Sequence, residues 1–91
     1  LCVQPFDTPE EAVEIANSTN FGLVGAVYTA DFTTAHRLAR DIDAGQVYIN
    51  EYFAGGIETP FGGNRQSGIG REKGLEALRS YQKIKTVAAR I

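Results

Sequence analysis

The order in which helical and strand patterns alternate over the first fifty residues constrains the fold of this chain more than any other feature. Thr8-Pro9-Glu10-Glu11 supplies an N-cap hydroxyl, a proline whose missing N–H costs nothing at the first helical position, and a glutamate at N3 able to reach back to the cap. The spacing predicts a helix from here, with Ala12, Val13, Ile15 and Ala16 as its buried face and Asn17 to Gly22 as its end. Leu23 to Thr29 is a short, uncharged run of β-branched and aromatic character, the pattern of a strand covered on both faces. Asp31 then caps a second helix, whose Ala35, Leu38, Ala39 and Ile42 fall at i, i+3, i+4 and i+7 before Ala44-Gly45 closes it. Gln46 to Asn50 is a further strand. With Leu1 to Val3 read as a strand already under way, the expected class is α/β: a βαβαβ unit with short connections, parallel pairing and right-handed crossovers.

Regular pattern fails from Glu51 to Gly74, and seven of the ten glycines lie between Gly55 and Gly74. A loop that long inside a compact unit is usually functional. Arg71 to Tyr81 resumes a helical pattern with Leu75 and Leu78 on one side, and Lys83 to Ile91 alternates like an extended strand of ambiguous polarity.

Leu, Ile, Val and Phe fill 23 of the 91 positions, enough apolar content for one folded domain in a chain too short for two. Cys2 is the single cysteine, so neither an internal disulfide nor a cysteine-based metal set is available, and a reducing, cytoplasmic setting is expected. No apolar run approaches the roughly 18 residues that a membrane-spanning helix needs. The chain opens Leu1-Cys2-Val3 and holds no methionine, so it is expected to be a piece of a longer protein. Its net charge of -2 conceals a split: residues 1–60 carry nine acids and two bases, residues 61–91 seven bases and two acids. A basic tail raises nucleic acid or an anionic membrane as a partner. Tyr81 is the sole aromatic after Phe61, however, and the interleaved stacking residues of single-strand binders are missing. Attraction between the halves, or docking on an acidic neighbour, is the simpler reading, with no nucleic acid and no membrane as partner.

Few residues carry chemistry unaided. A nucleophilic Cys2 would need a base or a positive environment, whereas its sequence neighbours Leu1 and Val3 are apolar, which makes a buried filler the default. His36 falls off the apolar stripe of its helix and reads as solvated; no His pair or Cys cluster supports a metal site. The glycine-rich stretch from Phe61 to Gly74 invites a phosphate-loop reading. Gly63 and Gly68 have the Walker spacing, but Ile69-Gly70 stands where Lys and Ser or Thr belong, and Gly68, Gly70 and Gly74 are one residue too widely spaced for the dinucleotide fingerprint. Tyr52, Phe53 and Phe61 are loop aromatics, which either plug a core or line a ligand pocket.

Gly45-Gln46-Val47-Tyr48-Ile49-Asn50, then Pro60-Phe61-Gly62-Gly63, then Ser67-Gly68-Ile69-Gly70-Arg71-Glu72-Lys73-Gly74 closely resemble the C-terminal stretch of the aldehyde dehydrogenase superfamily. Phe6 to Ala12, Ala16-Asn17, Phe21-Gly22-Leu23 and Thr29-Ala30-Asp31 resemble the preceding family segments in the same order. The resemblance covers essentially the whole chain. It implies part of an NAD(P)-dependent enzyme that oxidises an aldehyde to a carboxylic acid through a thiohemiacetal, hydride transfer and thioester hydrolysis. The family's nucleophilic cysteine, general-base glutamate, oxyanion asparagine and most of the NAD or NADP site would lie upstream, and Cys2 does not match the nucleophile. Residues 1–70 would be the last part of the catalytic domain, and residues 71–91 a helix returning toward the cofactor domain and a strand used in homo-oligomer contacts. By the same resemblance Phe61, Phe53 and Gly55 fall at the substrate tunnel, with the small Gly55 replacing a frequent aromatic. Glu72 resembles a carboxylate proposed to relay protons, while a structural ion pair with a base is the favoured alternative on the residues alone, and Arg71 resembles an interface residue.

Two other readings stay open on the residues alone. One is a stand-alone α/β interaction module whose last strand adds to another sheet edge. The other is a non-catalytic protein with an anion-binding loop.

Overall fold

The computed structural model describes all of residues 1–91. Its elements follow in the order α1 (Pro9–Asn17), β1 (Phe21–Gly22), β2 (Val24–Val27), α2 (Phe32–Asp41), β3 (Gln46–Ile49), β4 (Asn64–Arg65) and α3 (Gly74–Ser80). Helix α1 starts where its sequence dictates. The Thr8 hydroxyl accepts from the Glu11 N–H at 3.2 Å, and the Glu11 carboxylate reaches past the cap to accept from the Asp7 N–H at 2.8 Å. Helix α2 starts on Asp31, whose carboxylate accepts from the N–H groups of Thr33 and Thr34 at 3.1 and 3.2 Å and from the Thr34 hydroxyl. The Thr34 bonds are the main reason that the Asp31 carboxyl titrates below its ordinary value.

Strands β2 and β3 pair in parallel, from Val24 opposite Gln46 to Val27 opposite Ile49, with α2 as the crossover between them. Ala35 and Val27 are the two fully buried hydrophobic side chains, and Leu38, Ala39 and Ile42 of the same α2 stripe are half-buried. Helix α1 packs on α2, and the Glu10–Arg37 ion pair at 2.8 Å spans the two. A second ladder, invisible in the sequence pattern, joins β1 to β4 in antiparallel fashion, Phe21 opposite Arg65 and Gly22 opposite Asn64. No helix is long and apolar enough to cross a membrane.

Five expectations need correction. Leu1–Val3 and Lys83–Ile91 form no strand, because a strand exists only as part of a ladder and nothing in this chain pairs with either end. Cys2 is accordingly exposed rather than buried. The stretch from Glu51 to Gly74 is not wholly irregular, since it contains β4. Helix α3 begins at Gly74 and not at Arg71, because Glu72 is hydrogen-bonded to Phe61 and Lys73 has a φ of 58°, outside the helical region.

The molecule is too open to be self-contained. Its accessible surface is 7514 Å², and its radius of gyration is 17.9 Å. A free-standing domain of this mass exposes about 5,200 Å² and has a radius of gyration of about 12 Å. The excess, roughly 2,300 Å², is what a large permanent interface covers. Much of it is apolar: Phe6, Phe21, Tyr28, Phe32, Leu75 and Ile84 all stand exposed. Alone in solution, the 91-residue chain should therefore bind a hydrophobic dye, elute as mixed associated species and melt without a cooperative transition. A sharp monomer peak with one cooperative melt would contradict this.

Candidate functional site

Strand β3 is the platform of the site. Side chains alternate across a strand, so Gln46 and Tyr48 share one face. The Tyr48 hydroxyl donates to Gln46 Oε1 at 2.7 Å, and Gln46 Nε2 donates to the Pro60 carbonyl at 2.8 Å. Asn50, just past the strand, has a φ of 55° and turns its amide back on the neighbouring segment. Its Oδ1 accepts from the Thr29 N–H at 2.8 Å, and its Nδ2 donates to the Thr29 carbonyl at 2.9 Å. The side chain thus continues the ladder while the main chain leaves it for Glu51-Tyr52-Phe53.

Phe53 also holds a left-handed backbone, with φ of 60°, which costs a non-glycine residue on the order of 1 kcal/mol. Its ring offsets this by packing 5.2 Å from Tyr52, 5.8 Å from Phe61 and 6.3 Å from Tyr48, while Tyr48 and Tyr52 stand 6.0 Å apart. Four rings from two loops and a strand converge. Tyr52 and Phe53 remain 61% and 56% exposed, so the cluster offers open aromatic surface.

The loop carrying Phe61 is closed on itself. The Phe61 N–H donates to the Glu72 carbonyl, and the Glu72 N–H to the Phe61 carbonyl, both at 2.7 Å. Inside the loop the Arg71 guanidinium donates to the carbonyls of Gly63 and Gly70 at 2.8 Å each and to Asn64 Oδ1 at 3.0 Å. The loop also lies hard against the start of β3. A Cβ at Gly45 would stand 1.7 Å from the Gly62 carbonyl oxygen, so only glycine permits this approach. A hollow of about 350 Å³ is lined by both Phe61 and Glu72, together with Leu23, Ser67 and Arg71.

Two of the sequence-predicted site residues, Phe53 and Phe61, are thus brought together, and Glu72 is joined to Phe61 through the main chain. The Glu72 side chain is exposed and has no ion-pair partner in this chain. Gly55 has a reason of its own: its φ is 96°, and a Cβ there would meet the Thr59 hydroxyl at 2.4 Å, so the backbone demands glycine whatever the room beside it. His36 is exposed, with its ring 4.3 Å from Phe32. The largest hollow lies elsewhere. It is an apolar groove of about 480 Å³ lined by Cys2, Phe6, Val13, Val27, Leu38 and Ile42 among others, and neither Glu72 nor any of the four clustered rings borders it.

Residues that sequence reasoning missed hold the loop to the rest of the chain. Arg65 Nε donates to Asp43 Oδ2 at 2.6 Å, and its NH1 donates to the carbonyls of Asn17 at 3.0 Å and Thr19 at 2.5 Å. Asn64 Nδ2 donates to the other Asp43 oxygen at 3.0 Å. Asn17 Oδ1 accepts from the Asp43 N–H at 2.8 Å, and its Nδ2 donates to the Asp41 carbonyl at 2.9 Å. This ion pair is the one that joins the acidic and basic parts of the chain. Arg65 and then Asn64 hold the Asp43 carboxyl below its ordinary range. A carboxyl whose pKa is depressed in the folded state contributes stability above its unfolded value, about 4, and loses it as pH falls through the folded value. In the full-length enzyme, protection of the amides over residues 61–72, taken against the intrinsic exchange rate at each pH, should therefore be high at neutral pH and fall only in acid, and Asp43→Asn should remove that acid dependence. Protection in Asp43→Asn that falls with acid as in the parent would refute the assignment.

Comparison with known proteins places these features in a lineage. The model of the aldehyde dehydrogenase family matches residues 1–87. The chain is 48% identical over 87 residues to 4-trimethylaminobutyraldehyde dehydrogenase A of Danio rerio, covering 96% of this chain and 17% of that protein. It is equally 48% identical to a betaine aldehyde dehydrogenase of Rhizobium johnstonii, covering 96% of this chain and 18% of the relative. Among solved structures, an indole-3-acetaldehyde dehydrogenase complexed with NAD+ superposes with a TM-score of 0.85 at 50% identity, over 88% of this chain and 16% of that one. The chain spans less than a fifth of the length of the relatives it matches. With its family model matched nearly end to end and its fold superposed at that score, the chain belongs to the aldehyde dehydrogenase family.

Proposed function

We propose that residues 1–70 form part of the catalytic domain of an NAD(P)-dependent aldehyde dehydrogenase, and that Phe53 and Phe61 form part of the wall against which the aldehyde lies. The aromatic cluster carries this reading. Four converging rings, two of them largely exposed, are held by a strained Phe53 backbone that only their mutual packing offsets. Such a surface suits an apolar or aromatic aldehyde tail and excludes water from one side of it.

NAD or NADP supplies the hydride acceptor when bound, and the residues of this chain do not fit it. Arg71 directs three of its five donors to two carbonyls and an amide, and α3 is seven residues long with no side-chain cap. The nicotinamide site, the nucleophile and the base accordingly belong to the remainder of the enzyme. Glu72, whose carboxylate makes no ion pair within this chain, is assigned the relay role. Residues 71–91 serve subunit contact: the alternating Lys83–Ile91 segment finds no ladder within its own chain and would pair with a sheet edge of a second subunit.

The test uses the full-length enzyme that carries this segment. It should reduce NAD+ or NADP+ in the presence of an aldehyde. Phe61→Ala should raise the aldehyde KM by about tenfold or more with the cofactor KM unmoved, while Glu72→Gln should lower kcat and alter its pH profile. Absence of aldehyde oxidation by the parent enzyme would refute the function. An unchanged aldehyde KM in Phe61→Ala would refute the wall.

A further inference from the structure

We infer that Tyr48 and Gln46 are positioning residues: through one continuous hydrogen-bond chain they set where Phe61 stands in the site. This rests on the reading of Phe61 as part of the aldehyde-facing wall. The two side chains lie two residues apart on one face of β3, the most firmly paired strand of the molecule. The Tyr48 hydroxyl donates to Gln46 Oε1, and this fixes which end of the amide faces the loop. Gln46 Nε2 then donates to the carbonyl of Pro60, the residue directly before Phe61. Proline has no N–H with which to anchor itself, so its carbonyl is the nearest main-chain handle on the N-terminal side of Phe61. The other side is already held, since the Phe61 N–H and carbonyl both bond to Glu72.

Tyr48 acts at two points. Its ring packs on Tyr52 and Phe53, which complete the cluster with Phe61, while its hydroxyl works through Gln46 on the backbone that carries Phe61. The ring contacts alone would leave Phe61 able to slide with its loop. The hydrogen-bond chain ties that loop to the strand, and displacements of about 1 Å at such a wall change reactivity substantially.

Two substitutions separate this role from a structural one in the full-length enzyme, with indole-3-acetaldehyde and betaine aldehyde as probes. Tyr48→Phe keeps the ring and removes the hydroxyl. The aldehyde KM should rise roughly three- to tenfold, with kcat and the cofactor KM changed less than twofold. Gln46→Glu replaces the donor by a carboxylate facing the Pro60 carbonyl. When ionised it repels that carbonyl, but when protonated it can donate to Pro60 and accept from Tyr48 as the amide does. The aldehyde KM of Gln46→Glu, taken relative to that of the parent at the same pH, should therefore be raised at high pH and return toward unity as pH falls. Because KM does not depend on the amount of folded enzyme, partial misfolding of either variant leaves the result readable. Unchanged aldehyde KM in Tyr48→Phe, or a KM in Gln46→Glu that does not recover in acid, would overturn the positioning role. A parent enzyme without aldehyde oxidation would instead overturn the functional reading beneath it.

Discussion

The parallel ladder between Val24–Val27 and Gln46–Ile49 is the constraint on which the rest depends. Parallel strands cannot be joined by a tight turn, so the chain must climb back along α2, and that crossover buries Ala35 against the sheet. The two ends of β3 then serve different purposes. At its start Gly45 admits the Gly62 backbone to within a distance that no side chain would tolerate. At its finish the Asn50 amide stands in for one more rung, letting the main chain turn toward Tyr52 and Phe53. Both loops of the site are hung from one four-residue strand.

What holds the glycine-rich loop is polar rather than apolar, and the chemistry of its residues explains why. A stretch with so many glycines has few side chains to bury, so its carbonyls must find donors. Arg71 supplies them from within, closing Gly63 and Gly70 around its guanidinium, and Arg65 supplies them outward to Asn17 and Thr19. A planar guanidinium with five donors can serve several acceptors at once, which the point charge of a lysine does less well. The exposed part of each arginine makes the ionic component modest. The value of the Arg65–Asp43 contact lies in linking three segments, the end of α1, the turn after α2 and strand β4, with one side chain.

The helices were legible because their signals are local: Thr8, Pro9 and Glu11 for α1, Asp31 and the Ala35-Leu38-Ala39-Ile42 stripe for α2. So was the parallel pairing, which follows from strand, helix and strand with short connections. The ladder between β1 and β4 was not, because Asn64-Arg65 lacks any strand pattern. Its pairing is imposed by distant partners, the Ser67 hydroxyl accepting from the Gly22 N–H and the Gln66 N–H reaching the Asn20 carbonyl. The Asp43–Arg65 contact spans 22 positions and leaves no periodic trace. Phe53 and Phe61 are identifiable as loop aromatics, but nothing in their spacing announces that Tyr48, thirteen residues before Phe61, completes their cluster. Alternation does not by itself make Lys83–Ile91 a strand within this chain, since a period of two describes which faces a strand would have and not whether a neighbour exists to make it one.

The large exposed surface and the open aromatic cluster have a common origin. A βαβ unit covers its sheet on the crossover side only, so the other face, the two edges and the outer sides of α1 and α3 need a cover from elsewhere. The apolar groove bordered by Phe6, Val13 and Leu38 is one such uncovered region, and the rings of Tyr52 and Phe53 are another. Their chemistry differs in a way that separates packing from binding. The groove is aliphatic over most of its wall, built largely on α1, β2 and α2 and free of strained backbone, as a surface meant to be permanently filled by protein should be. The cluster is aromatic, takes three of its four rings from loops, and has left-handed Phe53 within it and left-handed Asn50 beside it, conformations that a residue serving only as core filler has no need to hold. Strain gathered beside open aromatic surface, and absent beside the groove, is what supports the proposed wall of Phe53 and Phe61 over the groove as the place of ligand contact.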